Sequence, residues 1–164
     1  MKNEIIDMNA EGDYEFLDFT DKKGFSQLCD HEFSVFGRDC VTKSDGRRTA
    51  PNYSFRLNKA DSEHLFASEL DRLRLRRDRM TNDLHLIFNR EEGMQVKFDK
   101  STRGHVATVT NKQFVEYLAA HYAVEKDANG VLRSVFDITG DLSNSPEYAT
   151  YRIVGKGRKK KWRG

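Results

Sequence analysis

The chain has 164 residues, 33% of them charged and 37% hydrophobic, a length that suits one domain with its own core. It contains no apolar run long enough to cross a bilayer, and Met1–Glu4 precede no signal-peptide core. We therefore expect a soluble, cytoplasmic protein without membrane partners. Cys29 and Cys40 form no CxxC pair, which favours free thiols and provides no ligand set for structural zinc.

Charge is distributed unevenly along the chain. Six of its 28 basic residues lie in the last ten positions, and the remainder has 22 basic and 26 acidic residues, a net charge of -4. The six are Lys156, Arg158, Lys159, Lys160, Lys161 and Arg163. Because segregated charge is more informative than total charge, we divide the chain into a flexible arm (1–12), a single α+β domain (13–154) and a flexible basic tail (155–164).

The first half of the domain contains short β-prone stretches. A weak alternation predicts a short strand over residues 14–19, residues 24–30 suit one helical turn, and residues 33–36 are apolar and β-prone. Ser44-Asp45-Gly46 is a turn signal. Residues 53–57 alternate apolar and polar side chains, which is typical of a half-buried strand.

A helix is predicted directly after this strand. Asn58 suits the N-cap position, with Asp61 in the first turn. Apolar residues then recur at helical spacing, at Leu65, Phe66, Leu70 and Leu73. We expect this helix to continue through the charged stretch that follows and to end near Thr81-Asn82.

Arginines are concentrated in the second half of this predicted helix. Helical spacing places Arg72, Arg76 and Arg79 near one face, where guanidinium groups can bind phosphate. Asp71 and Asp78 are interleaved with them, and the alternative is therefore a solvated helix face with local salt bridges.

Three alternating stretches predict the next strands. Residues 84–88 and 94–98 form a hairpin around a turn at residues 90–93, and residues 105–109 form a third strand. The second helix follows, capped by Thr110, with Gln113 at the spacing of a capping box. We expect one hydrophobic cluster from the inward faces of these elements, containing Phe88, Val96, Phe98, Phe114, Leu118 and Tyr122.

Two further strands, near residues 132–138 and 148–154, complete the prediction. The fold class is therefore α+β, a mostly antiparallel sheet with two main helices. Leu57-Asn58-Lys59 and Thr110-Asn111-Lys112 each stand between a predicted strand and a helix, with similar residues at the same offsets afterwards. This similarity fits two strand-strand-helix units around a shared sheet, and it also fits coincidence among residues that are common at helix starts.

The tail carries the main functional signal. A compact set of cations neutralises phosphates and releases counterions, and Trp162 adds a surface on which a base can stack. We therefore expect binding to DNA or RNA through the phosphate backbone, with little sequence preference and with the arginines of the first helix as a second patch. The alternatives are a solubilising tail or binding to another acidic surface.

Two other functions remain open from the sequence. One is a protein-interaction module without enzymatic activity, which the acidic body and the long polar loops suit. The other is a metal-dependent nuclease of the PD-(D/E)xK type, in which Asp83, Gln95 and Lys97 converge on a divalent metal. Gln95 is a weak replacement for the acid, and the sequence favours a binding protein with no catalytic residues, cofactor or metal site. None of its histidines stands in an HxH or HExxH pattern.

Overall fold

A computed structural model of the chain describes residues 28–101 and 104–158. The predicted arm (1–12) and the strand predicted over residues 14–19 lie outside the described residues. The strands are β1 (Glu32–Arg38), β2 (Val41–Thr42), β3 (Arg48–Thr49), β4 (Asn52–Leu57), β5 (Arg72–Arg77), β6 (Leu84–Asn89), β7 (Met94–Gln95), β8 (Lys97–Ser101), β9 (Gly104–Thr110), β10 (Leu132–Ile138) and β11 (Ala149–Arg158). The helices are α1 (Lys59–Ala67) and α2 (Lys112–His121).

Nine of the strands form one sheet, in the order β7-β5-β6-β11-β10-β1-β4-β9-β8, and each pairing is antiparallel. The two edge strands of this order, β7 and β8, are consecutive in the chain and separated only by Val96. Because one bent segment supplies both edges, the sheet curls into a nearly closed barrel. The fold is α+β, as predicted, although the sheet dominates it.

The core lies between the inward face of the curled sheet and the two helices. Phe33 stacks on Phe136 with ring centroids 4.9 Å apart, and Phe55 contacts both Phe33 at 4.8 Å and Phe114 of α2 at 5.6 Å. The predicted hydrophobic cluster is confirmed. Its buried members are Phe88, Val96, Phe114 and Leu118, and its partly buried members are Phe98 and Tyr122.

Helix α1 begins at the predicted N-cap but ends twelve residues before Arg79, so the prediction of one long helix is wrong. Glu69 adopts a left-handed conformation (φ 59°), and the backbone N–H of Leu70 donates to the Leu65 carbonyl at 2.9 Å. This arrangement is a Schellman motif, which terminates a helix and satisfies its last carbonyls. After it, Leu73 and Leu75 alternate with arginines, and this period of two forms strand β5.

The pairing of the predicted hairpin is also wrong, although its strands are present. Strand β5 pairs with β6 over residues 72–77 and with β7 over residues 72 and 73, so it lies between the two strands that we expected to be neighbours. The hairpin that does form joins β5 to β6 through residues 78–83. Strand alternation identified β6 and β7, but their partner had been assigned to a helix.

Helix α2 is capped by Asn111 rather than by the predicted Thr110. The Asn111 side-chain oxygen accepts a hydrogen bond from the Phe114 N–H at 2.9 Å. At the other end Ala123 is left-handed (φ 56°), and the Val124 N–H donates to the Ala119 carbonyl at 2.8 Å. Both helices therefore start at an asparagine N-cap and end in a Schellman motif whose left-handed residue is not glycine.

A cluster of polar side chains joins four segments at one end of the sheet. The buried Tyr53 of β4 donates its hydroxyl to Asp39 at 2.6 Å. Lys126 and Lys112 approach the same carboxylate at 3.2 and 3.4 Å. The hydrogen bond from Tyr53, assisted by the two lysines, lowers the pKa of Asp39 to about 2.

Candidate nucleic-acid interface

The outer face of β5 carries a row of arginines. Side chains alternate across a strand, so Arg72, Arg74 and Arg76 project outward while Leu73 is fully buried. Neighbours in this row are two residues apart, which separates them by about 7 Å. This is close to the spacing of successive phosphates along one nucleic-acid strand, so the row can contact consecutive phosphates.

The register of the sheet extends this cationic face across two more strands. Arg76 pairs with His85 of β6, and His85 pairs with Arg152 of β11. Adjacent strands are about 4.8 Å apart, so the backbones of Arg76 and Arg152 are about 10 Å apart. Like charges on neighbouring strands are unfavourable unless a counter-charge is present. The arrangement therefore favours an anionic partner.

Most of these arginines lack a strong internal partner. Arg74 approaches Glu92 at 3.7 Å, with both side chains more than half exposed. In the part of the chain that the structure describes, Arg72, Arg76 and Arg152 form no ion pair of 4.0 Å or less. An exposed pair such as Arg74 with Glu92 contributes little and is easily exchanged for a phosphate.

The β5–β6 turn adds charges of both signs at one end of the face. Arg77 and Arg79 are exposed there, and Asp78 and Asp83 lie beside them. The carboxylate of Asp78 accepts hydrogen bonds from the N–H groups of Met80 and Thr81, and these bonds lower its pKa. Asp78 is therefore occupied in shaping the turn.

His85 is a neutral residue within this charged surface. Burial, followed by the positive charge of Arg76, lowers the pKa of His85 below its ordinary value, so the imidazole is uncharged at pH 7. Its Nδ1 atom is buried and has no hydrogen-bond partner among the described residues. No local sequence pattern indicates that His85 lies between two arginines, because its position depends on the pairing of three strands.

Strand β11 leads from this face into the predicted tail. It extends to Arg158, so the backbone of Lys156 and Arg158 belongs to the strand. The register shifts between Asp137, which pairs with Val154, and Val135, which pairs with Arg158, so residues 155–157 form a bulge. The other predicted tail residues, Lys159, Lys160, Lys161, Trp162 and Arg163, lie outside the described residues.

The predicted arginine patch is present in a different geometry. Arg72 and Arg76 do share a face, but they share it with Arg74 on a strand, and Arg79 lies in the turn beyond. The expected helical grouping is therefore wrong. Sequence reasoning missed Arg152, whose position becomes apparent only when β11 is paired with β6.

The residues of the nuclease hypothesis do not converge. Asp83 immediately precedes β6, whose first residue Leu84 pairs with Arg77, whereas Gln95 pairs with Arg72. Asp83 lies beyond the level of Arg77, so more than five residues of β5 separate it from Gln95, a distance of more than about 17 Å. Over the described ranges, no group of three or more His, Cys, Asp or Glu residues is arranged to hold a metal ion.

Comparison with protein-family models, with curated proteins and with solved structures finds no significant match to this chain. Neither of the helices in the described part is long and apolar enough to cross a membrane.

Proposed function

We propose that this protein binds nucleic acid, DNA or RNA, through the phosphate backbone and with little sequence preference. The binding surface consists of the outer face of β5, β6 and β11 together with the basic residues 156–163. The observation that carries the proposal is the row of Arg72, Arg74 and Arg76 on one face of β5, two strands from Arg152. Arginine suits such a surface because its planar guanidinium group makes bidentate contacts with phosphate.

The path of β11 supports a single continuous surface. Arg152 lies on the cationic face, and the same strand then leads directly towards the six cations of residues 156–163. The positive charge is therefore concentrated on one part of a chain whose remainder is acidic. Such a distribution favours a polyanion over a neutral partner and orients it towards this face.

Binding across a salt series tests the proposal. With four to six phosphate contacts, the logarithm of the affinity should fall against the logarithm of salt concentration with a slope of about -3 to -5. Replacing Arg72, Arg74 and Arg76 by alanine removes up to three contacts and should flatten the slope by about 2–3. Replacing Lys159, Lys160 and Lys161 together should have a similar effect.

A matched control separates local contacts from total charge. Lys43, Arg47 and Arg48 are three exposed cations in and beside the small β2–β3 pair. Their replacement by alanine removes the same charge and should leave the slope nearly unchanged. If the Lys43/Arg47/Arg48 variant flattens the slope as much as the Arg72/Arg74/Arg76 variant does, the proposal is wrong. It is also wrong if the wild-type chain binds no oligonucleotide at low salt.

We also propose that the chain is built from two equivalent strand-strand-helix units, each followed by two further strands. Units β1-β4-α1-β5-β6 and β8-β9-α2-β10-β11 support this, because β4 pairs with β9 and β6 pairs with β11. In the second unit β10 occupies the position of β5 but presents Arg133 and Asp137 outward. The arginine row therefore distinguishes one half of the sheet from the other.

A further inference from the structure

Strand β5 has an open edge beside the arginine row. It pairs with β6 along its whole length, but on the other side only Arg72 and Leu73 pair with β7. Within the described residues, no strand pairs with residues 74–77 on that side. Such an edge presents unpaired backbone N–H and C=O groups that can accept another strand.

The side chains at this edge specify what kind of strand can be added. Arg74 and Arg76 are exposed on the outer face, and Leu75 between them points inward but is only partly buried. A second copy of β5 would place arginines opposite arginines, which is unfavourable. The edge instead suits a strand with carboxylates on its outer face and large apolar side chains on its inner face.

Residues 13–16 of this chain have that pattern. In extended conformation Asp13 and Glu15 share one face, and Tyr14 and Phe16 share the other. The charge of the surrounding sequence is also complementary, because residues 1–21 contain seven acidic residues and one basic residue. Carboxylates opposite Arg74 and Arg76 would form cross-strand ion pairs, and the aromatic rings would cover Leu75.

The connection is long enough for residues 13–16 to reach β5. The described chain begins at Leu28, close to the start of β1, and four inter-strand spacings separate β1 from β5 in the sheet, about 19 Å. The intervening residues 17–27 can span up to about 36 Å. The start of β1 also lies near the level of Arg76 along the strands. Glu32 pairs with Asp137, and Asp137 pairs with Val154, which is two residues from Arg152. Arg152 lies at the level of Arg76, because both residues pair with His85.

We propose that Asp13–Phe16 adds to the open edge of β5 as an extra strand and occupies Arg74 and Arg76 when no nucleic acid is bound. Docking follows from the edge, the charges and the reach of the chain alone. Its consequence, competition with nucleic acid for the same arginines, rests on the proposed function. The segment would then act as an internal acidic competitor, which weakens the binding of nucleic acid and excludes polyanions of low affinity.

Hydrogen exchange in the full-length chain, without nucleic acid, tests docking directly. The amides of residues 74–77 that face away from β6 should be protected in the wild-type protein. The variant Asp13→Asn/Glu15→Gln removes the two carboxylates of the segment. If docking occupies nine of ten molecules, exchange at these amides should accelerate by up to roughly tenfold.

The matched control is the variant Glu4→Gln/Asp7→Asn, which removes two carboxylates from residues 1–12, outside the segment. Exchange at residues 74–77 should stay at the wild-type rate. Charge reversal on one side alone, by Arg74→Glu/Arg76→Glu or by Asp13→Lys/Glu15→Lys, should remove the protection. The two reversals combined should restore it. Equal exchange in the wild-type, segment and control proteins would overturn docking.

Oligonucleotide binding by the same variants separates this inference from the proposed function. The segment variant should bind a single strand up to roughly tenfold more tightly than the wild-type and control proteins. Protected β5 amides with no oligonucleotide binding by any variant would support docking and refute the proposed function. If all variants bind the oligonucleotide equally and the β5 amides exchange fast in each of them, the result would refute docking and support the proposed function.

Discussion

The two asparagine N-caps should contribute unequally to stability. Asn58 and Asn111 each accept a hydrogen bond from a backbone N–H in the first turn of their helix, at 3.0 and 2.9 Å. Asn58 is 1% exposed, and its amide also donates to the Glu32 carbonyl at 2.9 Å and to the Asp61 carboxylate at 2.6 Å. Asn111 shares only the capping role, in which the side-chain oxygen accepts a hydrogen bond from a backbone N–H.

Alanine and serine substitutions separate the roles. A cap contributes about 1 kcal/mol, and serine caps a helix about as well as asparagine does. Asn111→Ala should therefore cost about 1 kcal/mol and Asn111→Ser nearly nothing. Removing the buried donor also deprives the Asp61 carboxylate, which is 8% exposed, of a charged hydrogen bond that contributes about 1.5–3 kcal/mol. Asn58→Ser should cost about 2–4 kcal/mol, and Asn58→Ala about 3–5 kcal/mol.

Urea unfolding of the four variants measures these differences, provided that the slope of the transition is unchanged. The expected order of destabilisation is Asn58→Ala, Asn58→Ser, Asn111→Ala, Asn111→Ser. If Asn58→Ser is as stable as the wild-type protein, or if the two alanine variants lose equal stability, the account of the Asn58 cluster is refuted.

Three further predictions concern the core, the Asp39 cluster and the tail. Leu118 is fully buried, so Leu118→Ala should lower the free energy of unfolding by about 2–5 kcal/mol in urea titrations. The pKa of Asp39 in the folded protein, about 2, lies below its unfolded value, so the contribution of Asp39 to folding stability is present above about pH 4 and is lost as pH falls towards 2. In urea titrations across this pH range, Asp39→Asn should remove that part of the loss of stability in acid. Trp162→Ala should weaken single-strand binding by about 1–3 kcal/mol and barely change duplex binding, as measured by fluorescence anisotropy.

Local side-chain periods predicted most of the strands, although not β5, and the second helix, because burial on one face imposes these periods. The alternation of residues 53–57 corresponds closely to β4, and Leu132 and Ile138 are the observed ends of β10. The stripe that includes Phe114 and Leu118 faces the core in α2. These features need no knowledge of the partner strand.

The end of α1 could not be predicted in the same way. Leu70 and Leu73 fit helical spacing, and arginine is a good helix former, so the pattern favoured continuation. The helix ends instead at left-handed Glu69, a conformation that a non-glycine residue seldom adopts and that the sequence does not signal. Tertiary pairing with β6 and β7 then stabilises β5 as a strand.

The candidate interface was predictable in composition but not in geometry. The sequence indicated that arginines near residues 72–79 and a basic C-terminus were important, but a helical period grouped Arg72, Arg76 and Arg79. The strand groups Arg72, Arg74 and Arg76 instead, and non-local register adds His85 and Arg152. Register depends on contacts between residues distant in the chain, so no local pattern predicts it.

The most direct test of the central claim is an amide chemical-shift titration of the full-length protein with a short single-stranded oligonucleotide at low salt. The account predicts that the largest changes cluster on β5, β6 and β11, at Arg72, Arg74, Arg76, His85 and Arg152, and that they disappear as salt is raised. Changes centred on the outer face of β4 and β9, or no changes at saturating oligonucleotide, would contradict it.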